Sequence, residues 1–536
     1  MSLADRYDVV IAGGGLAGLC LSLQLKLKNS QIEILVAEKS ELPPPRAAHK
    51  VGESAVEVAS HYFGEVLGLT DLLAEELPKF GLRFFMSNGD NKDVASRLEC
   101  GPSHFLTVPS HHIDRGKFED ALARKNREAG VTFEAECTVE GVELGQGQSD
   151  HRVEIEIAGT QHQVQCRWFI DGSGRSALLK RQLDLAKPTR HKVNAVWFRV
   201  DHPIDIDDWS DDIQWGNRIK HSRRLSTNHL VGEGYWLWLI PLVGGQTSVG
   251  IVAEDHLHPF SGLSSLKKVL SWLDRHEPQC AEVIRGHADS MMDFKALRDF
   301  SHNVKQMFSG DRWCLVGDAG LFVDPLYSPG NDFIAIANGY VTDLVARDLG
   351  GQDIGDLAGQ YDRAYLSLAR SYLVNFHRQY PVLGCARVMT TKIIWDFVMY
   401  WGGVAVLFFS DRFCDGPFME RMRPTMQEFA SINVRVQALF RDWASASKGM
   451  DARPGSFVDY AELGFLADLN AELQHDDLDD DALHARIEGN LRLAQDLHLE
   501  IVAEAARSLP VIAEKGWDAP RTNHLDEMFA TLRASA

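Results

Sequence analysis

The spacing of apolar residues indicates an alternating α/β arrangement at the start of the chain. A short apolar run at residues 7–12 ends in a glycine-rich turn, and residues 19–27 follow with apolar side chains at helical spacing. A second apolar run covers residues 32–36. Short apolar runs bounded by turns and separated by a helix are typical of buried parallel strands. The pattern therefore predicts a βαβ unit at the N-terminus.

Later residues predict an inserted sheet and then a long helical region. Apolar residues alternate over residues 193–252, which predicts strands, while residues 260–285 and 331–344 have helical spacing. The expected fold class is α/β, with a core at 1–350, a sheet inserted at about 185–300 and a helical C-terminal region at 351–536. Beyond residue 339, helices are predicted at 340–349, 361–376, 390–409, 419–443, 461–473 and 481–508.

Composition narrows the classes of partner. The 536 residues suffice for more than one domain, and the net charge of −20 disfavours nucleic acid or an anionic membrane as the main partner. The eight cysteines are scattered without C-x-x-C spacing, which favours reduced thiols in a cytoplasmic protein. The histidines show no metal-binding spacing, so no metal site is expected.

One apolar run raises the question of a membrane. Residues 393–409 are apolar but include Asp396 and two adjacent glycines, and the run is short for a span. The N-terminus begins almost directly on a predicted strand, without the charged and apolar regions of a signal peptide. The sequence therefore predicts a buried helix and no stable membrane insertion.

The first glycine-rich turn has the spacing of a dinucleotide site. Gly13, Gly15 and Gly18 occupy the glycine positions of G-x-G-x-x-G, with Ala17 inside the motif. The three glycines permit a tight turn, close approach of the backbone to a pyrophosphate, and close packing of helix on strand. Glu38 lies about twenty residues further on, where an acid binds a ribose hydroxyl. This arrangement predicts a dinucleotide cofactor but leaves NAD and FAD both open.

Three further motifs favour FAD. Residues 113–115 end in Arg115 and open a predicted helix, residues 168–175 contain Asp171 in a D-G turn, and Asp318 follows an apolar run that ends in glycine. In this order they resemble motifs of aromatic hydroxylase-type flavoproteins. The resemblance implies an FAD-binding, Rossmann-like fold in which Arg115, Asp171 and Asp318 contribute to the cofactor site.

Three other segments resemble those of flavin-dependent halogenases. Residues 322–330 fit F-x-x-P-x-x-S-x-G, and residues 236–241 fit W-x-W-x-I-P. In that family, two tryptophans on one face of a strand, here Trp236 and Trp238, separate the substrate from the flavin. The third segment resembles V-G-E-[AS], which the family places over the flavin; its predicted cofactor residues are Lys50, Val51 and Gly52.

Lys79 precedes an alternating segment that resembles the halogenase strand whose first lysine extends between flavin and substrate. The family forms hypohalous acid from FADH2, oxygen and chloride or bromide. The resemblance implies that Lys79 captures this oxidant and presents it to an electron-rich ring. A buried amine suits such a role because its pKa shifts readily. Lys79 is therefore the predicted catalytic residue.

Two residues depart from the family pattern. Tyr327 stands where the tryptophan halogenases have a glutamate, which favours a phenol-like or pyrrole-like substrate over free tryptophan. Pro329 has no N–H group, whereas the resemblance implies that backbone N–H groups of this loop hold the halide. The predicted halide donors are therefore Gly330 and Asn331 with Ser328. Tyr327 is predicted to line the substrate pocket with the two tryptophans, and Gly330 also to contact the cofactor.

These observations lead to three hypotheses. The first is a cytoplasmic FADH2-dependent halogenase that acts on a small aromatic substrate, either free or tethered to a carrier protein. A separate flavin reductase would supply FADH2, because the chain has no second dinucleotide motif. The second is an FAD-dependent monooxygenase or oxidoreductase that acts on an aromatic or lipid-like substrate without halide. The third is a non-catalytic FAD-binding protein.

Overall fold

The computed structural model describes residues 3–43, 50–447, 452–475, 477–507 and 522–533. The strands within these residues are β1 (Arg6–Ala12), β2 (Ile34–Ala37), β3 (Ser54–Ala55), β4 (Leu77–Pro78), β5 (Leu82–Met86), β6 (Leu98–Gly101), β7 (His111–His112), β8 (Thr132–Glu134), β9 (Cys137–Glu143), β10 (His151–Ile157), β11 (Thr160–Asp171), β12 (Ala186–Lys187), β13 (Val193–Val200), β14 (Thr227–Gly232), β15 (Tyr235–Pro241), β16 (Thr247–Glu254), β17 (Lys295–Leu297), β18 (Asn303–Val304), β19 (Trp313–Leu315) and β20 (Phe457–Asp459).

The α-helices of the described residues are longest in the last third of the chain. They are α1 (Leu16–Lys28), α2 (Glu57–His61), α3 (Thr70–Ala74), α4 (Arg115–Glu128), α5 (Leu178–Gln182), α6 (Ile213–Gly216), α7 (Leu266–His276), α8 (Pro278–Gly286), α9 (Gly330–Leu349), α10 (Gly355–Val374), α11 (Ala386–Met399), α12 (Val406–Phe409), α13 (Gly416–Ala446), α14 (Gly464–Ala471), α15 (Asp480–Ala506) and α16 (Asp526–Leu532).

The chain divides into two compact units, each made of three segments. Unit 1 comprises Met1–Glu75, Ile113–Arg190 and Ser301–Tyr372. Unit 2 comprises Glu76–His112, His191–Phe300 and Leu373–Ala536.

Unit 1 is built on a seven-stranded sheet. Its strand order is β8-β2-β1-β11-β10-β9, and β19 pairs with β11. β1 pairs in parallel with both β2 and β11, and its residues Val9, Val10 and Ile11 are fully buried. A strand buried on both faces must be apolar throughout, which explains its unbroken hydrophobic run. The predicted βαβ unit is confirmed.

Unit 2 is built on an eight-stranded sheet. Its strand order is β17-β13-β16-β15-β14-β5-β6-β20. The alternating region predicted a sheet, and β13 to β16 form its centre. Four strands come from outside that region: β17 follows it, β5 and β6 precede it by about ninety residues or more, and β20 lies in the C-terminal region. Such distant pairing leaves no local periodicity in the sequence, so the inserted sheet is larger than predicted.

The C-terminal region is helical, as predicted. The last predicted helix matches α15, except that residue 508 lies outside the described residues. Within the described part of the chain, Ala386–Phe409 is long and apolar enough to cross a membrane, but 78% of its most apolar window is buried inside the protein. Burial of this extent is that of a core helix, as the sequence predicts.

Candidate functional site

The glycine-rich turn of unit 1 is shaped for close approach of a ligand. A methyl group on Gly13 would come within 2.3 Å of the Gly172 carbonyl oxygen, and one on Gly18 within 2.1 Å of the Gly13 carbonyl oxygen. Neither position can carry a side chain without moving backbone. A methyl group on Gly15, in contrast, would meet no atom within 4 Å. Gly15 therefore borders open space at the N-terminus of α1, with Ala17 in the first turn.

That open space suits the pyrophosphate of FAD. Gly15 is the N-cap of α1 and contributes no side-chain cap, so the first N–H groups of the helix lack a partner within it. A helix N-terminus of this kind attracts anions. Glu38 Oε2 accepts a hydrogen bond from Gly14 N at 2.7 Å, which places its carboxylate at the glycine turn. The residues present fit the cofactor, and the carboxylate of Glu38, the acid predicted from the sequence to bind a ribose hydroxyl, lies at this turn.

Asp171 maintains the turn that follows β11. Its two carboxylate oxygens accept hydrogen bonds from Ser173 N at 3.0 Å and Leu179 N at 2.8 Å. Burial raises the pKa of Asp171, and these hydrogen bonds oppose the shift. The carboxylate of Asp171, which the sequence predicts at the cofactor site, is thus engaged by the backbone of the turn.

Two cations near Asp318, Arg175 and Lys180, were not predicted from the sequence as site residues. Lys180 Nζ donates to the Gly320 carbonyl oxygen at 2.7 Å and so holds the loop that contains Asp318. Burial lowers the pKa of Lys180 to about 8, although the Asp318 charge opposes the shift. Burial also lowers the pKa of Arg175, again opposed by Asp318. Arg175 ends the D-G motif and Lys180 lies five residues further on, but nothing in the sequence pattern relates them to Asp318.

The segment 50–52 is held by one predicted cofactor residue and by one predicted halide residue. Arg115 Nη1 donates to the Val51 carbonyl oxygen at 2.7 Å, and Asn331 Nδ2 donates to the Gly52 carbonyl oxygen at 3.2 Å. Lys50 forms an ion pair with Glu119 on α4. The structure thus brings together Lys50, Val51, Gly52, Arg115 and Asn331, which are far apart in sequence.

Glu119 is the shared partner of two cations, and sequence analysis missed it. Its carboxylate is almost fully buried, bonds Lys50 and accepts from Arg115 Nε at 2.9 Å. Burial alone would raise the pKa of Glu119, but the charges and hydrogen bonds of Arg115 and Lys50 outweigh burial and hold that pKa below its ordinary value. Its spacing of four residues from Arg115 on a helix was the available signal.

Replacing Glu119 with glutamine should destabilise the protein by about 3 kcal/mol at neutral pH, because two cations lose their buried counter-charge. The folded-state pKa of Glu119 is depressed, so its contribution is present above the unfolded pKa and is lost as the pH falls through the folded pKa. Chemical denaturation of both proteins from pH 7 downward measures the effect. The difference in free energy of unfolding should shrink toward acid; a constant difference would contradict the ionic explanation.

The predicted halide loop has an unusual backbone. Tyr327 and Ser328 have φ angles of 67° and 61°, in the left-handed region that side chains rarely adopt. The Ser328 N–H donates to the Pro325 carbonyl oxygen at 2.9 Å, so this donor is already engaged. Pro329 follows as the N-cap of α9, which begins at Gly330. Two successive residues in this region cost strain, which is typical of functional loops.

A small pocket lies beside this loop. Gly330 is the first residue of α9 and Asn331 the second, so their backbone N–H groups have no partner within the helix. The pocket therefore adjoins a helix N-terminus, where an anion is favoured. Its lining residues are Gly317, Asp318, Leu321, Phe322, Val323, Asp324, Pro329, Gly330 and Phe333.

Lys79 of unit 2 is a buried cation, with only 3% of its surface exposed. It lies between β4 and β5, and its backbone N–H donates to the Ser110 carbonyl oxygen at 2.8 Å. Its charge contributes, after burial, to lowering the pKa of His111, His112 and His229. A solvated lysine would not have these neighbours or this burial.

The tryptophan pair shares one sheet face with His229. Trp236 and Trp238 lie two residues apart on β15, are 2% and 3% exposed, and their ring centroids are 5.7 Å apart. The His229 ring on β14 lies 5.5 Å from that of Trp236 and stacks on Phe84 at 4.4 Å. Burial above all lowers the pKa of His229 to about 3, so the ring is neutral at physiological pH.

His112 lies near the same face. Its Nε2 is 2.8 Å from Thr227 Oγ1 on β14, two residues before His229. Burial first and the Lys79 charge second hold the pKa of His112 well below its ordinary value. Unit 2 therefore presents a buried ammonium, neutral imidazoles and indoles together. His111 and His112 were missed by the sequence analysis, because an adjacent pair of histidines has none of the spacings that mark a functional motif.

Comparison with known proteins defines the class of the chain. The FAD binding domain family matches residues 6–244. This range includes the glycine turn, the segment 50–52, Arg115 and Asp171, which the structure places in unit 1. The chain is thus an FAD-dependent flavoprotein.

Among known proteins, flavin-dependent halogenases are similar to this chain in sequence and in fold. The chain is 26% identical over 445 residues to the flavin-dependent halogenase chlA of Dictyostelium discoideum, which covers 75% of this chain and 70% of that protein. It is 25% identical to the 1H-pyrrole-2-carbonyl-[peptidyl-carrier protein] brominase of Pseudoalteromonas luteoviolacea, over 66% of this chain and 80% of that protein. The crystal structure of halogenase PltM has the same fold, with a TM-score of 0.64, 17% identity, and coverage of 90% of this chain and 99% of that one. Together with the motifs above, these similarities support the assignment of the chain as a flavin-dependent halogenase.

Proposed function

We propose that this enzyme halogenates an electron-rich aromatic ring, of the phenol or pyrrole type, and that Lys79 carries the oxidant. The observation that carries the proposal is the burial of Lys79, a residue only 3% exposed, beside neutral histidines, one of which contacts the tryptophan pair. Taking a lysine out of water is costly, and an ammonium in such surroundings is a candidate functional group. The motif order of the chain supports the same role.

The overall chemistry balances with FADH2 as reductant. When bound, FADH2 supplies the two electrons by which O2, halide and a proton give hypohalous acid and water, leaving FAD. Hypohalous acid then replaces an aromatic hydrogen by halogen and releases water. The role proposed for Lys79 is to hold hypohalous acid by a hydrogen bond or as a haloamine and to orient it toward the ring. The tryptophans would exclude bulk water and fix the distance of the ring from Lys79.

Chloride or bromide is proposed to bind at the N-terminus of α9. Support comes from the pocket lined by Pro329 and Gly330, and from the backbone N–H groups of Gly330 and Asn331. The Ser328 N–H is bonded to Pro325, so a contribution from Ser328 would have to come from its hydroxyl group. Pro329 itself contributes no donor.

Replacing Pro329 with alanine should lower the KM for halide about fivefold, because the new N–H adds a hydrogen bond of about 1 kcal/mol. Alanine accepts the observed φ of −73° at this position. Steady-state turnover against halide concentration measures the change. Pro325→Ala is the matched control, since Pro325 is in the same loop but not in the pocket lining. An unchanged KM in Pro329→Ala would argue against halide at this helix end.

The substrate class follows from Tyr327. A phenol cannot deprotonate a ring intermediate at neutral pH as a glutamate can, because its pKa is ordinarily near 10. The substrate must therefore activate its own ring through a hydroxyl group or a ring nitrogen. The pyrrole-carrier relatives favour tests of both free and carrier-tethered substrates. The enzyme is further proposed to be cytoplasmic and to receive FADH2 from a separate flavin reductase.

The decisive experiment combines the enzyme with a flavin reductase, NADH, FAD, and either chloride or bromide. Phenols, pyrroles and indoles are supplied free, and a pyrrole-2-carboxylate is also supplied on a carrier protein. Mass spectrometry should show halogen replacing hydrogen on a phenol or pyrrole. A product that gains only oxygen would support the monooxygenase hypothesis, and reduced flavin without oxygen-dependent turnover would support a non-catalytic FAD protein.

A further inference from the structure

The C-terminal region contacts the backbone next to Lys79 through one tyrosine. Tyr460 follows β20 and is 1% exposed. Its hydroxyl group accepts a hydrogen bond from Leu82 N at 3.1 Å and donates one to the Leu82 carbonyl oxygen at 3.0 Å. A single side chain thus satisfies both backbone groups of the first residue of β5, three positions after Lys79.

The sheet explains why Leu82 needs this partner. On one side β5 pairs with β14, and Leu82 lies opposite Thr227. On the other side β6 pairs only with residues Phe84 to Met86, so no strand reaches Leu82 there. Buried backbone N–H and C=O groups are almost always hydrogen-bonded. The Tyr460 hydroxyl group takes the place of a strand at this position.

Gly81 makes room for the tyrosine. Its φ angle is +64°, and a methyl group on it would come within 2.4 Å of the Tyr460 hydroxyl oxygen and 3.0 Å of Pro102 Cγ. Glycine is therefore required both by the backbone conformation and by the close approach of the hydroxyl group. The turn between Lys79 and Leu82 and the Tyr460 contact form one local arrangement.

The two residues before the turn, Lys79 and Phe80, are held by backbone hydrogen bonds of their own. Lys79 N donates to the Ser110 carbonyl oxygen at 2.8 Å, and Phe80 N donates to the Leu225 carbonyl oxygen at 2.7 Å. Both contacts precede the turn at Gly81. After the turn, β14 holds the segment on one side, where Thr227 N donates to the Gly81 carbonyl oxygen at 3.1 Å, and Tyr460 holds it on the side that β6 leaves open. Its loss would allow the turn to shift and the Lys79 side chain with it.

We propose that Tyr460 is a positioning residue for Lys79, so that the C-terminal region takes part in the halogenation step by fixing the direction of the amine. The proposal rests on the function proposed for Lys79. Tyr460 acts through the backbone of Leu82 and Gly81. A shift of about 1 Å in a reacting group can cost about a hundredfold in rate, so a local change at this turn is large enough to matter.

Tyr460→Phe tests the proposal with two measurements. The first is coupling: halogenated product per O2 consumed, with free hypohalous acid trapped by a diffusible diketone scavenger. Coupling should fall about tenfold while FAD affinity and the KM for halide stay unchanged. The second needs no turnover: the rate at which an acylating reagent modifies Lys79, read by peptide mass spectrometry. It should rise about fivefold as the segment loosens.

The matched control is Tyr235→Phe. Tyr235 is also buried, and its hydroxyl group donates to Glu277 Oε1 at 2.9 Å. It lies one residue before Trp236 on β15, so its side chain points to the opposite face of the sheet. Tyr235→Phe should leave both the coupling and the acylation rate of Lys79 near the wild-type values, even where it lowers the melting temperature.

The outcomes separate the two proposals. If the wild-type protein did not halogenate, the proposed function would be refuted. Faster acylation of Lys79 in Tyr460→Phe than in the wild-type protein would still support the positioning role. Unchanged acylation and coupling would overturn the positioning role. Equal losses in Tyr460→Phe and Tyr235→Phe would also overturn it, because general destabilisation would then explain both.

Discussion

Replacing Lys79 with alanine should reduce halogenation at least a hundredfold while FAD binding persists. The reason is chemical: the variant lacks the amine proposed to hold hypohalous acid, whereas the predicted cofactor residues all lie in unit 1. Product is measured by mass spectrometry, FAD binding by fluorescence titration, and escaped hypohalous acid by a diffusible scavenger. We expect scavenger product to rise as aromatic product disappears. Halogenation at the wild-type rate would refute the role of Lys79.

Two further variants test whether the amine itself is needed, or only the volume or the positive charge of the Lys79 side chain. Lys79→Met retains most of the volume without the ammonium group, and it should be as inactive as alanine. Lys79→Arg retains a cation, but a guanidinium group stays protonated and cannot act as an amine. High activity in Lys79→Arg would mean that a hydrogen-bonding positive charge is sufficient. Loss of halogenation in all three variants would favour a haloamine at Lys79, because none of the three has an amine.

Replacing Gly15 with alanine should weaken FAD binding by about 2 kcal/mol, or roughly thirtyfold, without harming the apoprotein. The φ and ψ angles of Gly15, −80° and −177°, are accessible to alanine, and the added methyl group would meet no protein atom within 4 Å. The only expected conflict is with the bound pyrophosphate. Fluorescence titration with FAD, together with thermal unfolding of the apoprotein, measures both parts of the prediction.

The matched control for this prediction lies in the same unit. Gly339, within α9, is also free of neighbours within 4 Å of an added methyl group, so Gly339→Ala should bind FAD normally. Gly18→Ala provides the opposite case, since its methyl group would press on the Gly13 carbonyl oxygen and destabilise the fold itself. Normal FAD affinity in Gly15→Ala would place the pyrophosphate elsewhere.

Sequence spacing predicted those parts of the fold that depend on neighbouring residues. The βαβ unit around Gly13 and the helices of the C-terminal region are periodic, and the motifs marked the turns between them. The pairing of β5 with β14 and of β20 with β6 joins segments that are more than a hundred residues apart. No local pattern encodes such partners, so the size of the unit 2 sheet could not be predicted.

Site residues that belong to a sequence motif could be predicted, whereas those that matter only through contacts made on folding could not. Lys79, Trp236 and Trp238 follow from the family resemblance, and the structure shows each to be buried. Glu119 and Tyr460 are ordinary residues in the sequence, because each matters only through a partner brought near by folding. Whether the named residues perform their proposed roles is decided by the variants above.

The interleaved order of the two units has a consequence for synthesis. All segments of unit 1 have been translated once Tyr372 is added, whereas β20 begins only at Phe457. Until that point the nascent chain exposes the free edge of β6, which can pair with strands of other chains. Ribosomes stalled before Phe457, or genes truncated there, should therefore yield aggregates that chaperones bind, even though every flavin motif has already been made.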